Sequence, residues 1–263
     1  MSTLVIGDPH THPNERLLRF EILGRFIAEH QPDNIVQIGD FLTYDSISAW
    51  NRSKRLTMEG QRLGAEMRAG MAAYAQIMQP MRDMNESRRT NKRALYKPNM
   101  FWIEGNHEDR ALRYCENNPE LADLIDYRNY FNPEEDGWVI VPYREHCEVA
   151  GVLFTHAPMS GNNQPLSSKH LVKNVIKDYA APLVFGHTHK LAYECDGVRT
   201  IDGASRITAL NVGCFFDHVP DYASGSRGPR DWWAGLVMLH HHDNVGGYDL
   251  STYSMDFLKK HYQ

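Results

Sequence analysis

The strongest constraint on this chain is a set of short apolar runs, each closing in side chains able to bind metal ions. Leu4-Val5-Ile6 runs into Gly7-Asp8-Pro9-His10, and residues 34–38 run into Gly39-Asp40. Phe101-Trp102-Ile103 runs into Glu104-Gly105-Asn106-His107-Glu108, Val152-Leu153-Phe154 into Thr155-His156, and Leu183-Val184-Phe185 into Gly186-His187-Thr188-His189. Runs this short and this apolar read as buried strands. Between the first two, Leu17, Leu18, Ile22, Phe26 and Ile27 recur at helical spacing, with Asn14 as the expected cap and Gln31-Pro32-Asp33 as the stop. Strand–helix–strand at this spacing is a βαβ unit with parallel strands. Ligands then gather at the carboxyl ends of the strands.

Residues 41–98 interrupt this alternation. Leu63, Met67, Met71, Tyr74, Met78 and Met81 keep helical spacing, so a helical insertion at about 45–98 is expected to pack on the core. It is basic at both ends: Arg52, Lys54 and Arg55, then Arg82, Arg88, Arg89, Lys92 and Arg93. These charges fit a solvated face or a surface for a polyanion near the metal-binding loops. Further on, a helix is expected to about Asn117 and another from Pro119. A strand follows at 139–141, then a hairpin turning at Ala150-Gly151, a loop at 157–167 and a helix at 168–179. The remainder reads as strands at 192–195, 199–201, 209–212, 235–239 and 248–255. No internal repeat or linker is visible, so 1–263 reads as one domain.

Composition narrows the classes. A formal net charge of −5 argues against a surface built for duplex DNA, and a 42% hydrophobic fraction is adequate for a core. No apolar run reaches the length of a membrane span, and no signal peptide is visible. Cys115, Cys147, Cys195 and Cys214 are scattered without a C-x-x-C pair, which disfavours a zinc finger or a disulfide framework. The expectation is a soluble cytoplasmic protein with no membrane partner; composition leaves the oligomeric state open.

Taken singly, Asp8 could cap a turn and Asn106 could tolerate a left-handed backbone. Together the strand ends supply Asp8, His10, Asp40, Asn106, His156, His187 and His189, a set of carboxylates, an amide and imidazoles suited to first-row divalent ions. These are too many ligands for one tetrahedral site. They suit two ions sharing a carboxylate, an arrangement that activates water and clamps an in-line displacement at phosphorus.

The order D-x-H, G-D, G-N-H-E, H, G-H-x-H resembles the calcineurin-like metallophosphoesterase family. The resemblance implies an α/β fold: a four-layer αββα sandwich of two mixed sheets. It implies that Asp8, His10, Asp40 and His189 hold one ion, that Asp40, Asn106, His156 and His187 hold the second, and that Asp40 bridges. His107 matches the histidine acting outside the metal shell, as acid to the leaving group or as donor to phosphate. The implied cofactors are two divalent ions, with Mn2+ favoured and Fe, Ni2+ or Zn2+ as alternatives. The implied chemistry is attack on a phosphate ester by a hydroxide held between the ions. The run Gly105-Asn106-His107-Glu108-Asp109-Arg110 further resembles small members carried by tailed phages, which would place the protein in a host cytoplasm.

The second motif does not continue as G-D-x-V-D-R-G, the form in protein Ser/Thr phosphatases; it reads Gly39-Asp40-Phe41-Leu42-Thr43-Tyr44-Asp45. That argues against a protein phosphatase, and the leading expectation is a phosphodiesterase or nuclease-like enzyme rather than a phosphomonoesterase. The expected partner is a phosphate ester, with nucleotide or nucleic acid as candidates. Candidate substrate groups are Arg110, Ser160, Asn162, Asn163, Arg227, Arg230, Trp232 and Trp233. Arg110 could instead pair with Glu108 or Asp109, and the tryptophans could be core. A non-catalytic scaffold, as in the family's retromer subunit, is the competing class. No ligand position is missing here, which ranks it below an enzyme.

Overall fold

The computed structural model describes residues 1–49, 58–166, 168–200, 203–217, 228–242 and 246–262. The expected strands form, and they divide between two sheets. The first sheet holds β1 (Ser2–Ile6), β2 (Asn34–Gln37), β3 (Asn99–Ile103), β4 (Trp138–Val141), β10 (Gly235–His241) and β11 (Tyr248–Ser254), in the order β11-β10-β1-β2-β3-β4. The second holds β5 (Cys147–Val149), β6 (Val152–Thr155), β7 (Leu183–Phe185), β8 (Leu191–Thr200) and β9 (Gly203–Val212), in the order β5-β6-β7-β9-β8. β1, β2, β3 and β4 pair in parallel, as do β6, β7 and β9, while β1–β10, β10–β11, β5–β6 and β8–β9 pair antiparallel, so both sheets are mixed.

The inner faces meet through Val5, Val36, Ile38 and Ile103 on one side and Val152, Phe154, Val184 and Leu210 on the other. Helices cover the outer faces. α1 (Leu18–His30), α2 (Leu63–Thr90) and the C-terminal α5 (Met255–Tyr262) share the core of the first sheet, which α3 (Asn106–Asn117) joins through Ala111. α4 (Leu171–Tyr179) packs Val175 and Ile176 on Leu183, Phe185 and Ala209 of the second sheet. The result is the αββα sandwich. Because both sheets are covered on both faces, their central strands read as unbroken apolar runs rather than alternating ones. No described helix is long and apolar enough to cross a membrane.

Three local expectations fail. Helix α1 starts at Leu18 rather than after Asn14, because residues 12–15 close a turn through the Glu15 amide and the His12 carbonyl. Residues 255–262 form a helix that buries Met255 and Leu258, where only the end of a strand was expected. The short strands expected at 192–195 and 199–201 are one strand, β8, paired along its length with β9; Ile201 itself lies outside the described residues.

Helix α2 is the crossover between β2 and β3. Its 28 residues span about 42 Å. At its start, the buried Glu66 accepts hydrogen bonds from the Ser46 amide and hydroxyl. At its end, Arg88 donates to Gln31 and Asn85 bonds Tyr96, beside the entry to β2. Arg88, Arg89, Lys92 and Arg93 therefore stand at the amino ends of the strands, opposite the loops that carry Asp40 and Asn106. The expectation that they flank those loops fails; Arg52, Lys54 and Arg55 lie outside the described residues.

Gly24 lets α1 and α2 touch. A Cβ there would lie 2.6 Å from the Gln76 carbonyl oxygen and 2.7 Å from that of Ile77. Pro80 lies one turn beyond Gln76 and has no N–H to offer that carbonyl. Gly24→Ala should force the helices apart and destabilise the protein by about 1–3 kcal/mol, read from urea melts. An unchanged midpoint would show that the interface can yield.

Candidate metal centre

All seven expected donors converge where the carboxyl ends of the parallel strands of both sheets meet. The first sheet brings Asp8 and His10 after β1, Asp40 after β2, and Asn106 at the start of α3. The second brings His156 after β6, and His187 and His189 after β7. Three overlapping groups form, each with donor atoms within 4.8 Å of one another: Asp8, His10 and His189; His10, Asp40 and His107; and Asp40, His156 and His187.

The strand ends turn sharply to achieve this. Asp8, His10, Asp40, His187 and His189 all have positive φ, between 23° and 67°. Side chains other than glycine adopt this region at a cost, roughly 1–3 kcal/mol each when strongly disfavoured. Such strain persists only where the surroundings over-determine the backbone. Gly105 is needed for a different reason, since a Cβ on it would lie 2.1 Å from Asp40 Oδ1.

Two buried side chains fix the loops from behind. Glu108, at the third position of α3, accepts backbone N–H groups from Asp40 (3.0 Å), Phe41 (2.8 Å), Leu42 (3.0 Å) and Gly105 (2.8 Å). One carboxylate thus ties the Asp40 loop to the start of α3. Arg19, fully buried in α1, donates to the carbonyls of Pro9 (2.9 Å) and His10 (3.3 Å) and pairs with Glu15 and Asp217. Neither role follows from the sequence reading. A glutamate at the third helical position is a recognisable capping signal, and an arginine beside an apolar helical stripe hints at burial, but their partners are distant in the chain.

The polar atoms of the centre are mutually unsatisfied in a way that suits cations. Nδ1 of His156 lies 2.8 Å from the Ile38 carbonyl oxygen, which can only accept, so that nitrogen carries the proton. Nε2 then presents a lone pair, and it faces Asn106 Oδ1 at 3.0 Å and Asp40 Oδ2 at 3.4 Å. Nε2 atoms of His10 and His189 face each other at 3.3 Å, and His189 Nε2 lies 3.0 Å from Asp8 Oδ2. Both carboxylate oxygens of Asp8 are buried and accept no hydrogen bond among the described residues. At His156 Nε2, facing the Asn106 and Asp40 oxygens, lone pair meets lone pair, a repulsion that a cation between them would relieve. The donor set, oxygen and imidazole with no thiolate, therefore fits divalent metal ions.

Electrostatics agree. Burial pushes the Asp8 carboxyl up to about 7, with His156 opposing. Burial, then the Asp8 carboxylate, pushes Asp40 to about 7 as well. Burial lowers His187 and His189 to about 4, and lowers His10 and His156 too. His187 and His189 are thus neutral at pH 6 and offer lone pairs, while the carboxyls hold protons that a metal must displace. Mn2+ affinity should rise between pH 6 and pH 8, by about tenfold per carboxyl proton displaced, and then level off. Calorimetric titration at the two pH values checks this; an affinity independent of pH would mean the carboxyls are already ionised.

His107 differs from the other histidines. Its Nδ1 lies 2.7 Å from the Thr43 carbonyl, and its Nε2 accepts from Arg110 NH2 at 3.2 Å. Arg110 also donates to Thr43 (2.8 Å) and approaches Asp45 (3.5 Å). Burial, then Arg110, lowers the His107 pKa. Of the other expected substrate groups, Trp232 stands against His189 with ring centroids 4.4 Å apart, and it stacks on Phe216, which stacks on His10. Trp233 instead packs in the inter-sheet core beneath Gly213 and Gly235. Asn162 and Asn163 are exposed on the loop after His156, where Ser160 and Asn163 bond within the loop. Arg230 is exposed in the 3-10 turn Gly228–Asp231, and Arg227 lies outside the described residues. No hydrogen bond among the described residues ties Asn162 or Arg230 to the centre.

The chain is similar to several known proteins. The chain is 26% identical over 193 residues to the Gene 54 protein of Mycobacterium phage D29, covering 71% of this chain and 68% of that protein. It is 24% identical over 241 residues to the Gene 54 protein of Mycobacterium phage L5, covering 90% of this chain and 87% of that one. Among solved structures it aligns with a single mutant of Vps29 from Entamoeba histolytica at 11% identity and a TM-score of 0.40, over 97% of this chain and 99% of that one. It also aligns with wild-type Vps29 complexed with zinc from the same organism, at 11% identity and a TM-score of 0.37, over 97% and 99%. The sequence model of the calcineurin-like phosphoesterases matches residues 1–191, a span that holds all seven donors and His107. The chain belongs to the calcineurin-like phosphoesterase family.

Proposed function

We propose that this protein is a two-metal phosphodiesterase, with Asp8, His10, Asp40 and His189 around one ion and Asp40, Asn106, His156 and His187 around the other. The observation that carries this reading is the position of Asp40 Oδ2. It lies 3.6 Å from His10 Nε2 and 3.4 Å from His156 Nε2, between the two halves of the cluster, as a bridging oxygen would. The bound ions, Mn2+ by preference, would supply an activated water and neutralise charge at phosphorus.

The chain's own groups supply the rest. Asp40 Oδ1 accepts the His107 amide at 2.9 Å, which leaves Oδ2 to face the cluster. The amino end of α3 points its positive dipole at the same place and favours an anionic substrate. Arg110 would exchange the His107 nitrogen for a phosphoryl oxygen. His107 Nε2, so released and with the substrate's negative charge now offsetting the guanidinium that helps lower its pKa, would take up a proton and give it to the oxygen of the leaving group. A phosphodiester carries one negative charge, which suits one guanidinium; a monoester carries nearly two. Turnover of bis(4-nitrophenyl) phosphate by the Mn2+-loaded protein, against 4-nitrophenyl phosphate, tests this. The diester should be the faster substrate. No metal-dependent turnover of either would return the protein to a non-catalytic role, and preference for the monoester would reverse the class.

A further inference from the structure

A cavity of about 470 Å3 lies between the turn Asp45–Ile47 and the outer half of α3; Ile47, Ala49, Arg110, Arg113, Tyr114 and Asn117 line it. It meets the metal centre at one residue. Arg110 lines the cavity, donates to His107 Nε2, and is fixed by the Thr43 and Tyr44 carbonyls. His107 Nε2 in turn lies 3.9 Å from Asp40 Oδ2. Asp40, His107, Arg110 and the cavity thus follow one another outward. In an in-line displacement the leaving group departs opposite the attacking oxygen, and an acid acting on it must stand on that side. A group departing past His107 and Arg110 would leave toward this cavity.

We propose that this cavity holds the leaving group, and that the leaving group is a nucleotide unit; the inference rests on the phosphodiesterase reading above. The volume is that of a small-molecule site. Ile47 and Tyr114 offer apolar and aromatic surface to a flat base. Asn117 and Asn118 carry both donors and acceptors, which a base edge can match. Arg113 is 60% exposed and is held to Asp109 through its Nε, so its outer N–H groups can meet the next phosphate of a strand. A methyl or simple alkyl leaving group would use none of these features.

The test uses the Mn2+-loaded full chain and two variants on the exposed rim: Ala49→Trp, which fills the cavity, and Asn117→Ala, which removes a base-edge partner. The substrates are the dinucleoside phosphate ApA, which expels a nucleoside, and adenosine 3′-(methyl phosphate), which expels methanol, and adenosine binding is measured separately by calorimetry. The variants should raise KM for ApA about tenfold and weaken adenosine binding about fivefold or more, while kinetics on the methyl ester stay within about twofold. Equal adenosine binding by wild type and Ala49→Trp, or none by wild type at millimolar concentration, overturns the proposal. Loss of both substrates in parallel would also overturn it, since the cavity would then be part of the general scaffold. If loaded wild type turns over neither diester, the phosphodiesterase reading fails, and the adenosine titration still decides whether the cavity binds a nucleoside.

Discussion

Asp40→Asn should cost the protein its bound metal and its activity together, with a rate loss exceeding about 10³-fold, more than the loss of one transition-state hydrogen bond commonly costs. Asparagine keeps the shape of the side chain and the oxygen that accepts the His107 amide. It removes the charge that both halves of the cluster share. The metal-free variant should nevertheless be at least as stable as wild type at pH 8. The sign follows from the raised pKa: the Asp40 carboxyl is pushed to about 7 by burial and Asp8, so ionising it in the folded, metal-free state costs stability progressively as pH rises from about 4 to 7. Asparagine escapes that cost. Metal analysis with thermal melts in chelator separates the two effects. A variant that retains full metal content would show that Asp40 does not bridge.

His107→Ala should show the second largest effect and the opposite pattern. Metal content should stay at the wild-type level while turnover falls by on the order of 10²–10⁴, as expected for loss of an acid–base group. The reason is the different use of its nitrogens. The Nε2 atoms of His10, His156 and His189 face one another or the Asp8, Asp40 and Asn106 oxygens, whereas the nitrogens of His107 are taken by the Thr43 carbonyl and Arg110. The loss should shrink for a diester with a good leaving group such as 4-nitrophenolate, which needs no proton. His107 also lies within reach of His10 and Asp40, so a fall in metal content equal to the fall in rate would make it a ligand instead.

Much of this site can be read in the sequence because buried parallel strands leave a plain signal. Leu4–Ile6 and Leu183–Phe185 are apolar throughout, and the first polar residues after them point into the crevice at the strand ends. What the sequence does not show is whatever depends on a distant partner. Glu108 stands in a recognisable motif, yet its hydrogen bonds reach the backbone of Asp40, Phe41 and Leu42, far back in the chain. Arg19 reads as the polar neighbour of an apolar stripe until the carbonyls of Pro9 and His10 are placed against it. The basic end of α2 illustrates a different gap. Periodicity gives a helix, but only the parallel pairing of β2 with β3 shows that the helix must run back and carry Arg88 and Arg89 away from the metal centre. Helix α5 is short, and Tyr253 and Met255 on either side of Ser254 read as one more alternating pair, so local pattern extends the strand past its end.

The central claim is that the clustered acceptors form a centre for two ions bridged by one carboxylate. Equilibrium dialysis of the full chain against Mn2+ at pH 8, followed by elemental analysis, tests it most directly. The account predicts two ions per chain at saturation for wild type and fewer for Asp40→Asn. Saturation at one ion per chain, or wild-type content in Asp40→Asn, would contradict it.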